Sequence, residues 1–288
     1  MSKKFRRTLI LFVVLSLLVN LSGCTNEGRV KSKEGNNRLD EIIERGYIEV
    51  VMEPYFVPFQ FIDPSKSGND KYVGSDIEFA KYIADKLGVE LRVVPLEFTA
   101  VLGGISEGKY DLAISALAYT PARADAMILS NGYYFAENTP GYGLLIREED
   151  REEIKDSDDL SDKVVVIQSG SLQELLANEQ IPKYKDLKRV SSTNDGLLMV
   201  QEKKADSCVV AKSMAQLYID ANTGCGLKIV DDFEFIVDKK LSGTRVGISL
   251  GEEKLEEKIN EIIEEVLDSG IYKEWHDRYT DYAKNLGL

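Results

Sequence analysis

Short apolar runs alternate with amphipathic segments along most of the chain. The runs have the length of buried strands, and the segments between them repeat apolar residues with helical spacing. Strands are predicted at 48–52, 90–94, 111–115, 163–167, 187–190, 206–210 and 245–249. Helices are predicted at 75–87, around 100–107, after Ser171, and at 194–204, 213–221, 255–267 and 272–282. The charged run 147–159 divides this pattern into two series. Alternation of strand and helix predicts parallel sheet in an α/β architecture.

Two of the predicted helices carry recognisable start or stop signals. Ser75 and Ser171 are each followed three residues later by a glutamate, Glu78 and Glu174. This spacing predicts a capping box at both helix starts. Gly88 follows the last periodic residue of the first of these helices and predicts its end.

The segment Thr120-Pro121-Ala122-Arg123, directly after an apolar strand, is the clearest candidate binding element. Threonine is a good N-cap and proline favours the first helical position, so Arg123 is predicted in the first helical turn. A guanidinium beside free backbone N–H groups suits a carboxylate, which it can hold with two hydrogen bonds. An ordinary surface arginine is the competing interpretation.

The N-terminus has the pattern of a bacterial secretory signal. Four cations precede an apolar run at 8–19 that is short for a membrane span, and Leu21-Ser22-Gly23-Cys24 follows. The last four residues resemble a lipobox, whose cysteine is lipidated. We therefore predict a lipoprotein signal peptide at 1–23 and a flexible polar tether at 24–38. A plain signal peptide with an incidental cysteine is the alternative.

Charge and cysteine usage narrow the possible chemistry. The formal net charge of −13 argues against a nucleic-acid partner, because phosphate binding needs basic patches. The single histidine, His276, is expected to be structural, and the cysteine spacing fits no metal motif. We expect neither a metal site nor a cofactor. Cys208 and Cys225 could pair in an exported protein, but two unpaired thiols are favoured.

Several short motifs occur in an order that is similar to a known family. They are Pro58-Phe59-Gln60-Phe61, Val73-Gly74-Ser75-Asp76-Ile77, Gly108-Lys109-Tyr110-Asp111, Thr120-Pro121-Ala122-Arg123, Ser130-Asn131-Gly132-Tyr133-Tyr134, the stretch from Val164 to Ser171, and Ser269-Gly270-Ile271-Tyr272 with Trp275. In this order the chain resembles the extracellular solute-binding proteins, family 3, of polar amino acid ABC transporters. The resemblance covers roughly residues 39–279.

The resemblance implies an α/β fold with two lobes, the type II periplasmic-binding-protein-like arrangement, joined by two crossover strands. Lobe 1 would comprise 39–140 and 236–288, and lobe 2 would comprise 144–231. The implied function is that of a lipid-anchored, monomeric, non-enzymatic subunit on the outer face of the cytoplasmic membrane. It would capture an amino acid or a related small carboxylate by lobe closure and deliver it to a separate permease and ATPase.

The resemblance also assigns a set of ligand-contacting positions. Phe56 and Phe98 match the aromatic residues on either side of the ligand, with ordinary core packing as the alternative. Arg123 matches the carboxylate-binding arginine, and Glu53 matches an acidic position that often contacts the ligand side chain. The remaining positions in the set are Ala116, Ala118, Gly170, Ser171 and Ala211.

Three of the matched positions depart from the family pattern. Ala118 and Ala211 stand where a hydroxyl and an acid usually bind the ligand ammonium, and Leu172 replaces a common threonine. An unpaired buried ammonium is strongly unfavourable. Either Glu53 and backbone carbonyls hold the ammonium, or the ligand is not a standard α-amino acid.

Two other functions are compatible with the same resemblance. The fold also hosts a cyclohexadienyl dehydratase type of enzyme, which would need an acid or base in the cleft, and Glu53 is the one candidate. A ligand-sensing module that acts on a separate receptor is the other alternative.

Overall fold

The structure, a computed structural model, describes residues 37–135 and 141–288. The predicted signal peptide, Cys24 and the predicted tether up to residue 36 lie outside the described residues. Asn37 and Arg38, which the sequence analysis assigns to the tether, instead begin the fold. The Asn37 side chain accepts a hydrogen bond from the Asp40 amide and caps the first helix.

Thirteen strands and nine α-helices occur within the described residues. The strands are β1 (Tyr47–Met52), β2 (Tyr55–Phe56), β3 (Gln60–Ile62), β4 (Tyr72–Val73), β5 (Glu90–Pro95), β6 (Leu112–Ala118), β7 (Ile128–Leu129), β8 (Tyr142–Arg147), β9 (Val164–Gln168), β10 (Asp186–Val190), β11 (Ser207–Ala211), β12 (Leu227–Ile229) and β13 (Thr244–Ile248). The helices are α1 (Arg38–Arg45), α2 (Ser75–Leu87), α3 (Phe98–Ser106), α4 (Pro121–Ala126), α5 (Leu172–Gln180), α6 (Thr193–Gln201), α7 (Lys212–Ala221), α8 (Glu253–Ser269) and α9 (Ile271–Leu286).

Two five-stranded sheets organise these elements into two lobes. The first sheet has the order β5-β1-β6-β13-β7, and the second has the order β10-β9-β11-β8-β12. The first three strands of each sheet are parallel, as the alternating pattern predicts, and the others join antiparallel. The central strands are buried, so apolar residues continue without alternation, as at 50–52 in β1.

The chain passes twice between the two sheets. It crosses from β7 to β8 and returns from β12 to β13. The return segment packs on the core of the second sheet through Phe235, Val237 and Leu241. These contacts extend beyond residue 231, where the sequence analysis ends lobe 2. The lobe boundaries given there remain predictions.

All seven predicted strands are present. The largest difference is at β6, which continues to Ala118 instead of ending at Ser115. The stop at Gly88 is confirmed, because this residue closes α2 in a left-handed conformation. The capping box at Ser75 is wrong. Ser75 is the first helical residue, and its hydroxyl lies 3.0 Å from the Tyr272 hydroxyl instead of capping the helix.

Among residues 37–135 and 141–288, none of the helices combines the length and the apolar character needed to cross a membrane. Cys208 and Cys225 are both free thiols, as the sequence favours. Burial raises the pKa of the Cys208 thiol to about 12, so this thiol stays protonated and unreactive.

Candidate functional site

A cavity of about 690 Å³ is lined by residues from both sheets, at the carboxyl ends of β1, β6, β9 and β11. This end of an open α/β sheet is the usual place for a ligand. Eight of the nine predicted ligand-contacting residues line the cavity: Glu53, Phe56, Phe98, Ala116, Ala118, Arg123, Ser171 and Ala211. The ninth, Gly170, contributes its carbonyl to Arg123.

Arg123 is a buried residue, which excludes the surface interpretation. Pro121 begins α4, and the Thr120 hydroxyl caps it by accepting a hydrogen bond from the Arg123 amide at 3.2 Å. The guanidinium donates from Nη1 to the Ala118 carbonyl at 2.6 Å and from Nη2 to the Gly170 carbonyl at 2.9 Å. These two bonds connect one residue to both lobes.

Arg123 has no ion-pair partner among the described residues. No Asp or Glu there forms an ion pair with it, and its Nε has no hydrogen-bond partner in that part of the chain. Burial lowers the pKa of the Arg123 guanidinium to about 10, which still leaves it cationic at neutral pH. The site therefore contains a buried positive charge whose hydrogen bonds, within the described part of the chain, go to carbonyl oxygens.

The two aromatic residues both line the cavity and pack in apolar clusters. Phe98 lies under Arg123, with the guanidinium carbon 5.3 Å from the ring centroid, and belongs to the core around α3. Phe56 stacks on Phe59 with ring centroids 5.5 Å apart and also packs against the core of the second sheet. Ligand contact and core packing are thus not exclusive at these positions.

Glu53 lies at the exit of β1 and is only 3% exposed. Its Oε1 accepts a hydrogen bond from Gln168 Nε2 at 2.8 Å, which joins the two lobes, and its amide donates to the Ser115 hydroxyl at 3.1 Å. Burial raises the pKa of the Glu53 carboxyl to about 7, and the Gln168 bond partly opposes this shift. Glu53 is therefore a second buried ionisable group in the cavity, of opposite sign to Arg123.

Ser171 is the N-cap of α5, and its hydroxyl forms hydrogen bonds with two backbone groups. It accepts from the Glu174 amide at 3.1 Å and donates to the Gln168 carbonyl at 2.7 Å. The serine half of the predicted capping box is confirmed. The glutamate half is not, because Glu174 accepts from the Gly170 amide at 2.7 Å instead of the Ser171 amide.

The three positions that depart from the family pattern also line the cavity and leave its wall apolar there. Ala118 is 8% exposed, Leu172 packs in the core of the second sheet, and Ala211 ends β11. None of these side chains can pair with an ammonium group.

Gln168 and Ser115 are two of the polar cavity residues that were not predicted from the sequence. Gln168 bonds Glu53 and the Ser191 carbonyl through Nε2 and accepts from Thr193 at 3.3 Å. Both missed residues follow apolar runs near the carboxyl ends of strands, and that position is the signal that could have identified them.

The one histidine lies apart from this cavity, in α9. His276 stacks on Tyr134 with ring centroids 4.6 Å apart, and burial lowers the pKa of its imidazole to about 4. Within the described residues, no group of three or more His, Cys, Asp or Glu side chains could hold a metal ion.

Two α/β lobes that enclose a shared cavity, with ionisable groups buried in it, define a binding protein of the two-lobed, periplasmic-binding-protein-like class. The chain belongs to the bacterial extracellular solute-binding proteins, family 3, whose sequence profile matches residues 48–282. Membership in this family places the protein in the periplasm or on the extracellular side.

Comparison with individual proteins agrees with this family. A probable histidine-binding protein of Campylobacter jejuni is 27% identical over 224 residues, 76% of this chain and 78% of that protein. An amino acid ABC transporter substrate-binding protein of Streptococcus pneumoniae, solved bound to L-arginine, superposes with a TM-score of 0.74 at 25% identity, over 85% of this chain and 98% of that chain.

The chain is also similar in sequence to an enzyme. The cyclohexadienyl dehydratase of Pseudomonas aeruginosa is 25% identical over 183 residues, 64% of this chain and 63% of that protein. Similarity alone therefore does not separate binding from catalysis on this fold.

Proposed function

We propose that the protein is the substrate-binding subunit of an ABC importer and that Arg123 binds the carboxylate of its amino acid ligand. The observation that carries this proposal is the buried guanidinium without an acidic partner among the described residues. An uncompensated buried charge is unfavourable by several kcal/mol, and an anionic ligand group would compensate it. A carboxylate also matches the planar fork of the guanidinium.

At the other end of the cavity, Glu53 supports a ligand that carries a cationic group. A cation beside Glu53 would favour the ionised carboxylate and offset the burial that raises its pKa. One similar structure was solved with bound L-arginine, and one similar protein is named as a probable histidine-binding protein. Arginine and histidine are both basic amino acids. We therefore propose a basic amino acid as ligand, with its side chain or its ammonium at Glu53.

The partners of the ligand ammonium differ from the family pattern. Ala118 and Ala211 offer only backbone groups, so Glu53 and carbonyl oxygens would hold the ammonium, or the ligand would lack one. The two versions differ in how Glu53→Gln affects binding. If the ammonium is held by Glu53, removal of the acid weakens binding strongly. If the ligand lacks an ammonium, the effect is mild.

Titration calorimetry with a matched ligand pair tests this proposal. L-Arginine and its desamino analogue would be titrated into the wild-type protein, Glu53→Gln and the exposed control Glu152→Gln. We expect arginine to bind the wild type and the control equally and Glu53→Gln far more weakly. Preference for arginine over the analogue that survives Glu53→Gln would contradict both versions and would mean that another group binds the ammonium. If both ligands also bind Glu53→Gln more weakly, Glu53 holds the basic side chain instead.

We also propose that Cys24 carries a lipid anchor on the outer face of the cytoplasmic membrane and that the permease and ATPase are separate chains. Stable attachment needs more than one acyl chain, at about 0.8 kcal/mol per buried CH₂. Cys24→Ser should release the protein from the membrane fraction of the native host, whereas Cys225→Ser should not. Retention of the Cys24 variant on membranes would contradict the anchor. Sedimentation is expected to show a monomer.

A dehydratase activity is the second candidate, and one observation favours it. A carboxyl with a pKa of about 7 is protonated in a large fraction of molecules at neutral pH and can act as a general acid. The experiment is to incubate the protein with a cyclohexadienol carboxylate and follow formation of the aromatic product. Turnover that is lost in Glu53→Gln would support the enzyme, and binding without turnover would support the transport subunit.

A further inference from the structure

Four of the motifs that are far apart in the sequence meet at one buried carboxylate behind the cavity. Asp76 is 0% exposed, and its Oδ1 accepts from the Tyr133 hydroxyl at 2.9 Å and the Tyr272 hydroxyl at 2.6 Å. The Asp76 amide donates to the Phe59 carbonyl at 2.8 Å. No Lys, Arg or His within residues 37–135 and 141–288 forms an ion pair with Asp76. This carboxylate has no part in the ligand contacts described above.

The second oxygen of Asp76 holds a strained residue of the cavity wall. Oδ2 accepts from the Ala116 amide at 2.8 Å, and Ala116 has a φ of 47°. This left-handed conformation is disfavoured for a residue with a Cβ atom and persists only where the surroundings impose it.

The strand around Ala116 is irregular in the way that this contact requires. β6 pairs with β13 at Ala118 and Leu117 and next at Ala113. The register shifts between Leu117 and Ala113. A β-bulge of this kind removes backbone groups from the ladder, and they need other partners. Asp76 supplies the partner for the Ala116 amide.

The bulge separates the two charged ends of the cavity. On one side, the Ser115 hydroxyl accepts from the Glu53 amide. On the other side, the Ala118 carbonyl accepts from Arg123. The conformation of Ala116 therefore sets the relative placement of the groups that hold Glu53 and Arg123.

We propose that Asp76 is a positioning residue for ligand binding, which it serves by holding the β6 bulge at Ala116 in its left-handed conformation. The choice of L-arginine as the test ligand rests on the proposed function, whereas the contact between Asp76 and Ala116 does not. The tyrosines from the segment before β8 and from α9 fix the carboxylate, and the carboxylate fixes the wall of the cavity. Asp76 itself contacts no ligand.

The binding test uses Asp76→Asn, the double variant Asp76→Asn/Ala116→Gly, and a matched control. Asp111→Asn is the control, because Asp111 is also buried and accepts a backbone N–H, from Glu49, at the end of β6 away from the cavity. Affinity for L-arginine should fall by about tenfold or more in Asp76→Asn, as expected for loss of a hydrogen bond to a charged group. It should be unchanged in the control, although both variants melt at lower temperature.

Recovery of affinity in the double variant distinguishes a positioning role of Asp76 from a general structural role. Glycine adopts a positive φ without strain, so Ala116→Gly should restore most of the affinity in the Asp76→Asn background while leaving its melting temperature low. An Asp76→Asn protein that binds L-arginine within about twofold of the wild type would overturn the proposal, since that is well under 1.4 kcal/mol. A loss that glycine does not restore would also overturn it.

A ligand-free measurement keeps this claim separate from the proposed function. Amide exchange at Ala116 should be slow in the wild type, faster in Asp76→Asn and unchanged in Asp111→Asn. If Asp76→Asn does not fold, Tyr272→Phe replaces it in this test. Tyr272→Phe keeps the Asp76 carboxylate and removes one of its hydrogen-bond donors, so amide exchange at Ala116 should be faster than in the wild type but slower than expected without the carboxylate. If L-arginine fails to bind the wild type, the proposed ligand is wrong, and the exchange rates alone decide the positioning claim. Equal exchange in all variants would contradict it.

Discussion

The two ends of the cavity differ in whether their buried ionisable group can become neutral near pH 7. At one end, Arg123 is cationic at neutral pH, and its guanidinium donates hydrogen bonds to carbonyl oxygens and to no acidic group among the described residues. At the other end, burial raises the pKa of Glu53 to about 7, so this group can lose its charge by taking up a proton. An arginine cannot neutralise itself in this way, because even its lowered pKa lies far above neutral pH. The Arg123 end therefore needs a ligand anion more strongly than the Glu53 end needs a cation.

The largest expected effect is at the Arg123 end. Arg123→Ala should weaken binding of the amino acid ligand by roughly 2–5 kcal/mol, because the ligand carboxylate would be left with backbone donors alone. Arg123→Lys should restore little of this, since an ammonium cannot form the planar fork. Calorimetry on both variants, with the exposed Arg151→Ala as control, checks this. Near-normal affinity of the alanine variant would remove Arg123 from the site.

The second prediction concerns pH at the Glu53 end. The pKa of Glu53 is raised from 4.5 to about 7 in the folded protein, so the folded state holds this proton more tightly than the unfolded chain. Its contribution to stability is complete below pH 4.5 and is lost as pH rises through 7. A cationic ligand group has the opposite preference, for the ionised carboxylate. Affinity for a basic amino acid should thus rise by up to about 100-fold between pH 5 and pH 8.

Comparison with Glu53→Gln isolates this carboxyl from the other groups that titrate in the same range. Burial also raises the pKa of Asp76 to about 6, and that contribution remains in the variant. The difference between the two pH profiles therefore reports Glu53. Parallel profiles for the wild type and the variant would show that Glu53 does not face the ligand cation.

The smallest of the expected effects is at Phe56, which serves ligand and fold together. Phe56→Ala should reduce affinity by about 0.5–1.5 kcal/mol through lost aromatic contact and should also lower the melting temperature, because the ring packs on the core of the second sheet. Tyr55→Ala, at an exposed position of the same strand, is the matched control. Unfolding with wild-type affinity in the remaining folded fraction would make Phe56 a core residue alone.

Local sequence patterns were sufficient for seven of the thirteen strands in the described residues, for α4 and for Arg123. The Thr-Pro-x-Arg signal is confined to one helical turn, so the sequence contains everything that places the arginine there. The capping box at Ser75 failed because its hydroxyl is taken by Tyr272, a residue 197 positions later. Gln168 was missed for the same reason, since its contact with Glu53 spans 115 positions. Contacts of this range depend on how the two sheets meet and leave no local pattern.

The central claim is that the Arg123 charge is compensated by the ligand carboxylate. Its most direct test is a cycle in which L-arginine and its decarboxylated analogue are titrated into the wild type and Arg123→Ala. We expect the wild type to prefer L-arginine by roughly 2–5 kcal/mol and the variant to lose most of this preference, because Arg123 is the charged partner of the carboxylate and only backbone donors remain without it. A preference for the carboxylate that persists undiminished in Arg123→Ala would contradict the claim.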